Sequence, residues 1–259
     1  MRRLLLALLP LLTLMSACTS TDYDLVKTAS IPPRFHDKDP QDFGARTPYH
    51  HTVHGIDVSK WNGDIDWPTV RTSGVSFAFI KATEGKDVVD TRFNEYWQRA
   101  RAAGLAYAPY HFYYFCSTAD QQADWFIANV PKSAVNLPPV LDVEWNGESK
   151  TCKYRPSPLT VQSEMKRFMD RLEKYYGKRP IIYTSVDFHR DNLVGQFNEY
   201  HYWVRSVAKH PVEIYPERRW AFWQYTSTGT IPGIKGDTDI NVFAGSAKNW
   251  KTWVAAVSK

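Results

Sequence analysis

The sequence predicts an α/β fold, a single incomplete TIM-like β/α barrel of about (β/α)5(β)3, on three observations. From His54 onward, short apolar runs alternate with segments of helical period, the pattern of parallel βα units. No glycine-rich phosphate loop follows the first run, which argues against an open, doubly wound sheet. The length of 259 residues fits one such barrel rather than two domains.

Five strands are expected at HGIDVS (54–59), SFAFIKAT (76–83), AYAPYHFYY (106–114), PPVLDVEW (138–145) and PIIYTS (180–185). A helix follows the second, with Phe93, Trp97 and Ala100 at helical spacing and Gly104 as its C-terminal cap. The longest helix follows the fourth. Ser157 caps it, Pro158 suits its first turn, and Val161, Met165, Phe168, Leu172 and Tyr175 recur along one face before Gly177. After Ser185 the pattern changes: YHYWVRSV (200–207), WAFWQYT (220–226) and TDINVF (238–243) read as strands, but the intervals between them are too short or proline-rich for full crossover helices. Three domains of behaviour follow: a leader at 1–18, a flexible tether at 19–52 and a catalytic barrel at 53–259.

The leader carries Arg2 and Arg3, about a dozen mostly apolar residues and small residues before Cys18. Its apolar run falls short of the ~20 residues of a membrane span. The ending Leu14-Met15-Ser16-Ala17-Cys18 resembles a bacterial lipobox, whose cysteine is acylated; ordinary cleavage near Ala17 is the alternative. Thr19 is not the aspartate of an inner-membrane retention signal, so outer-membrane anchoring toward the periplasm of a Gram-negative cell is implied. From Thr19 to Thr52 the chain is polar, proline-bearing and without period. With Cys18 assigned to lipid, Cys116 and Cys152 remain in a chain bound for an oxidising compartment, and a disulfide is the default reading against two free thiols. Both follow strands, at one end of the sheet.

Composition narrows the function classes. With 43% hydrophobic and 23% charged residues the chain has a core and is no disordered scaffold. The basic excess of five includes Arg2 and Arg3 and is scattered, which gives no nucleic-acid signature. The eight histidines show no metal-ligand spacing, so neither metal nor cofactor is called for. His111, inside a strand, reads as a hydrogen-bonded core residue. Serines 59, 185 and 206 lack a nucleophile elbow. No oligomerisation surface is legible, and a monomer is the default.

What stands out is acid at the strand ends, where β/α barrels place their chemistry. Asp57 lies in the first strand, Asp142 and Glu144 in the fourth, Asp239 in the last, and Glu84 just past the second. Asp142 and Glu144, two apart on a strand, point to one face about 6.6 Å apart along it. Two carboxylates in one apolar pocket raise at least one pKa, leaving a proton donor near neutral pH.

GIDVSKWNGDIDW (55–67), FIKATEG (79–85), PPVLDVEW (138–145), PIIYT (180–184) and WQYTSTGTIPGIKGDTDINVF (223–243) together resemble glycoside hydrolase family 25, the Chalaropsis-type lysozymes, over roughly 53–257. The resemblance implies a barrel with fewer than eight helices that hydrolyses the β-1,4 bond between N-acetylmuramic acid and N-acetylglucosamine in peptidoglycan. It implies Glu144 as general acid and Asp142 as the group that orients the substrate's 2-acetamido group for attack on the anomeric carbon. Asp57 and Asp239 then tune Glu144 and position water; Asp237 competes with Asp239 for that place. Lys81, Glu84, Tyr183, Trp223 and Tyr225 match positions lining the substrate groove. Two rivals stand beside this reading: a chitinase-like hydrolase, whose fuller DxxDxDxE pattern Pro138 to Leu141 do not supply, and a non-catalytic peptidoglycan-binding lipoprotein, which would not need a retained proton donor.

Overall fold

A computed structural model describes residues 35–258. The leader, Cys18 and the tether up to residue 34 lie outside the described residues. The elements run β1 (His36–Asp37), β2 (His54–Val58), α1 (Trp67–Thr72), β3 (Val75–Glu84), β4 (Val88–Val89), α2 (Phe93–Ala102), β5 (Ala106–Phe112), α3 (Ala119–Asn129) and β6 (Val140–Val143). Then follow α4 (Pro158–Tyr176), β7 (Ile181–Thr184), α5 (Val186–Asn192), β8 (Tyr202–Arg205), α6 (Pro211–Ile214), β9 (Phe222–Thr230), β10 (Thr238–Phe243) and α7 (Ala247–Val257).

Eight strands close into a barrel in the order β2-β3-β5-β6-β7-β8-β9-β10, with β10 returning to β2. The first seven run parallel; β10 is antiparallel to both neighbours. Helices α1 to α5 follow the first five barrel strands, α6 is a single turn, and β9 passes to β10 without a helix. This is the expected incomplete barrel.

Strand alternation sorts the side chains. Ile56, Val58, Ala78, Ile80, Leu141, Val143 and Ile182 point outward into the layer under the helices, where Val161, Met165, Phe168 and Leu172 of α4 meet them. Ser157 accepts from the Thr160 backbone N–H to cap α4, and Gly177 ends it at φ 71°, a left-handed conformation that suits glycine. Tyr175 departs from the expected stripe: it lies beyond the sheet, exposed, with the Lys132 ammonium 4.8 Å from its ring, while Met169 and Tyr176 take the inner positions. Helix α3 was not legible, although Thr118 and Gln121 form a reciprocal capping box at its start.

The inward residues fill the bore in two layers. At the base Phe77, Phe79, Ala106, Ala108, Val140, Ile181, Phe222 and Phe243 pack together, closed from below by Trp250 and Val254 of α7. Gly55 is required there, because a Cβ at that position would lie 2.3 Å from the Phe77 ring. The upper layer is polar.

The segment from Phe35 to Thr52, expected as tether, lies against the barrel wall. β1 pairs with β9, Phe43 meets Trp223 edge-on at 5.0 Å, Tyr49 meets Tyr225 at 6.4 Å and His51 meets Trp220 at 5.7 Å. Aromatic side chains without period anchor an irregular segment when the wall itself presents aromatics. Among the described residues, no helix is long and apolar enough to cross a membrane.

Candidate active site

The upper end of the bore opens into a cavity of about 410 Å³ lined by Asp57, Asp142, Glu144, Asp239, Lys81, Tyr110, Phe112, Tyr183, Trp203, Arg205, Gln224, Ser59, Ser227 and Trp61. All four expected acids therefore meet. β6 ends at Val143, so Glu144 sits one residue past the strand end, with Asp142 inside it. Asp57 lies opposite Asp239 across the β2–β10 pair. Because β10 runs backward, Asp239 comes from its amino end, not the carboxyl end assumed for all the acids. Asp237, two residues earlier, is exposed and ion-paired with Lys38. Asp239 alone of the two lines the cavity.

Asp57 is fixed by side-chain amides. Its Oδ2 accepts from Asn241 Nδ2 at 2.8 Å and Gln224 Nε2 at 3.0 Å. Those amides are oriented in turn: Trp203 Nε1 donates to Asn241 Oδ1 at 2.6 Å, and Tyr183 Oη donates to Gln224 Oε1 at 2.9 Å. Asp142 is different, since its buried Oδ1 has no hydrogen-bond partner. An acceptor so placed carries a desolvation cost that a bound N–H donor would relieve.

Burial raises the pKa of every acid in this group. For Asp142 burial acts first and the charge of Glu144 second, and the result lies well above the usual carboxylate range. Burial also raises Glu144, with Asp187 and Asp57 adding to it and Arg205 opposing. Asp239 is raised by burial and by Asp57. Burial lifts Asp57 to about 6 against the lowering effect of its two amide donors. The site thus holds protons at neutral pH.

Of the other expected contacts, Lys81 and Tyr183 line the cavity. Glu84 stands behind Lys81, which it pairs at 2.6 Å. Trp223 and Tyr225 do not belong to the cavity. They flank Gln224 on β9 and so point to the opposite face, both buried in the outer layer, where Trp223 Nε1 donates to the Ser206 carbonyl at 2.8 Å. Arg205, Tyr110, Trp203, Gln224 and Trp61 were missed. Alternation offers the signal for Arg205, which shares a face with Trp203. Trp61, 82% exposed, stands at the rim beneath the Lys60 ammonium.

His111 is a core residue, as expected. It faces outward, bonded to Thr83 Oγ1 at 2.7 Å and Gln122 Oε1 at 3.1 Å and stacked on Phe168. Cys116 and Cys152 form a disulfide that joins the loops after β5 and β6.

A closed β/α barrel whose open end gathers paired carboxylates is the build of an acid-dependent glycoside hydrolase. Comparison with known proteins agrees. Residues 56–234 match the family model for glycosyl hydrolases family 25. The chain is 37% identical to uncharacterized protein YegX of Escherichia coli K12 over 225 residues, 84% of this chain and 79% of that one. It is 35% identical to lysozyme M1 of Streptomyces globisporus over 75% of this chain and 69% of that one. A family 25 glycosyl hydrolase structure from Bacillus anthracis superposes with a TM-score of 0.73 at 33% identity, covering 84% of this chain and 99% of that one. The chain belongs to glycosyl hydrolases family 25.

Proposed function

We propose that this enzyme is a muramidase that hydrolyses the β-1,4 bond between N-acetylmuramic acid and N-acetylglucosamine in peptidoglycan, with Glu144 as its general acid. The observation that carries this reading is the convergence of Asp57, Asp142, Glu144 and Asp239 on one open cavity in a member of this family. The lysozyme name of a relative supports the substrate.

The chemistry follows from how the acids are held. Asp142 and Glu144 are both raised by burial, so together they retain a proton. The N–H of a bound 2-acetamido group donates to the Asp142 carboxylate, which lines the cavity and has an oxygen without a partner in the fold. That bond favours ionised Asp142 and leaves the proton on Glu144. Glu144 gives it to the departing glycosidic oxygen as the acetamido carbonyl oxygen attacks the anomeric carbon. Water then opens the resulting oxazolinium ion, and Glu144 takes the water proton back. Asp57, held by Asn241 and Gln224, supplies negative potential beneath the ring as positive charge develops, while Asp239, pushed up to about 8 by burial and by Asp57, keeps its proton beside it.

Glu144→Gln keeps the shape of the group and removes its proton. Turnover of sacculi is expected to fall by about 10²- to 10⁴-fold with glycan binding retained. Wild-type-like turnover in this variant overturns the assignment.

The leader and Cys18 support an activity outside the cytoplasm, tethered by lipid to the outer membrane and facing the wall. The Cys116–Cys152 bridge supports an oxidising compartment. A Cys18→Ser variant is expected to leave the membrane fraction; one that stays fully membrane-bound refutes the anchor.

A further inference from the structure

Two cations line the cavity, and among the described residues only one of them is ion-paired; the other, Arg205, acts on Asp57, Glu144 and Asp239 through space alone. Lys81 is paired with Glu84 at 2.6 Å and lies over the Phe112 ring. Arg205 follows Trp203 on the inward face of β8, in register with Gln224 on β9, and lines the cavity. Its backbone is pinned, since Tyr215 Oη donates to its carbonyl at 2.6 Å. Its guanidinium makes no ion pair or side-chain hydrogen bond with any described residue, although four carboxylates line the same cavity. Arginine beside carboxylates ordinarily forms a two-bond fork with one of them. Here no such fork is formed with a described residue, and Arg205 lines the space a substrate would fill.

The glycan offers two kinds of sugar. N-acetylglucosamine carries no ionisable group. Muramic acid carries a lactyl ether at O3, on the carbon next to the one that bears the 2-acetamido group, hence within the reach of a cavity that receives that acetamido group. In intact peptidoglycan the lactyl carboxyl is tied as an amide to the stem peptide and is uncharged. Hydrolysis of that amide, with water as co-reactant, frees the peptide amine and leaves a carboxylate on the sugar.

We propose that Arg205 binds this lactyl carboxylate, so that glycan stripped of its stem peptides is the preferred substrate and an amide-hydrolysing reaction supplies it. The inference rests on the muramidase reading and assigns its specificity. A planar carboxylate matches the guanidinium fork, and an ammonium does so less well.

The test compares kcat/KM of the full chain on intact sacculi and on sacculi stripped of peptide by amide hydrolysis, for wild type, Arg205→Gln and Arg205→Lys. The wild type is expected to favour stripped glycan by about 10- to 100-fold, the range of a charge-assisted hydrogen bond. Arg205→Gln is expected to erase that preference mainly through KM, and Arg205→Lys to restore part of it. Equal wild-type activity on the two substrates overturns the proposal and leaves the muramidase reading intact. So does an equal loss on both in Arg205→Gln, which would mean that the charge only tunes the acids. A wild type that releases no muramic reducing ends from either substrate defeats the muramidase reading itself, and the proposal with it.

Discussion

The two ends of the barrel bore are made by the same strands under the same alternation, yet they carry opposite chemistry. At the base, Phe77, Phe79, Phe222, Phe243 and Trp250 pack ring against ring. A few residues further along β2, β3, β6 and β8, the inward positions become Asp57, Lys81, Asp142 and Arg205. The base lowers the free energy of the fold by removing apolar area from water. The mouth raises it, because carboxylates are held where water cannot fully solvate them. Function is gathered at the end that destabilises, and the other end compensates.

That contrast can be broken at either end. Trp250→Ala opens a void under the base and is expected to cost about 3–5 kcal/mol, lowering Tm, while the remaining folded molecules keep their kcat. Glu144→Gln is expected to do the converse, and a calorimetric scan beside a turnover assay reads both. If Trp250→Ala abolished kcat in fully folded protein, base and mouth would not be separable.

A smaller effect is expected of the bridge between the loops after β5 and β6. The Cys116–Cys152 crosslink closes 36 residues of chain, and removing it in Cys116→Ser/Cys152→Ser is expected to cost about 3–4 kcal/mol or less. Because Trp145, next to Glu144, packs on Phe188 and bonds to Asp191, the acid itself stays in place. Denaturant melts with and without reductant measure the cost. An unchanged midpoint would show that the loops are held by packing alone.

The smallest effect has the opposite sign. Asp142 has its pKa raised by folding, so the stability it withholds is fully present at acid pH and lost as pH rises past the ordinary carboxylate range. Asp142→Asn removes that loss. It is expected to stabilise the protein by on the order of 1 kcal/mol at pH 8, a few degrees in Tm, with the gain vanishing near pH 4. The same raised values predict that kcat/KM persists above the usual carboxylate range and falls as the protons retained by Asp142 and Glu144 are lost. A gain in Tm that is constant with pH would contradict the electrostatic origin.

The base and most of the mouth were legible because both follow local periods. Strand limits fell close, TDINVF matching β10 from Thr238 to Phe243, and the acids were found from their place at strand ends. What was missed depended on phase or on distant contacts. Trp223 and Tyr225 match groove-lining positions by resemblance; their alternation with Gln224 puts them on the wall instead. The reversed direction of β10 is invisible in its own residues, since β9–β10 pairing sets it. Helix α3 carries Asp120, Gln121, Gln122 and Asp124, so its apolar stripe is faint. The segment from Phe35 to Thr52 has no period at all, and only the outward aromatics of β9 give it a place.

The central claim is that the acids at the mouth cut the muramic side of the glycan. Purified sacculi treated with the full chain, reduced with borohydride, hydrolysed and analysed by mass spectrometry test it directly. Reduced muramic acid is the expected new end, absent when Glu144→Gln replaces the wild type. Reduced glucosamine, or no new ends, would contradict it.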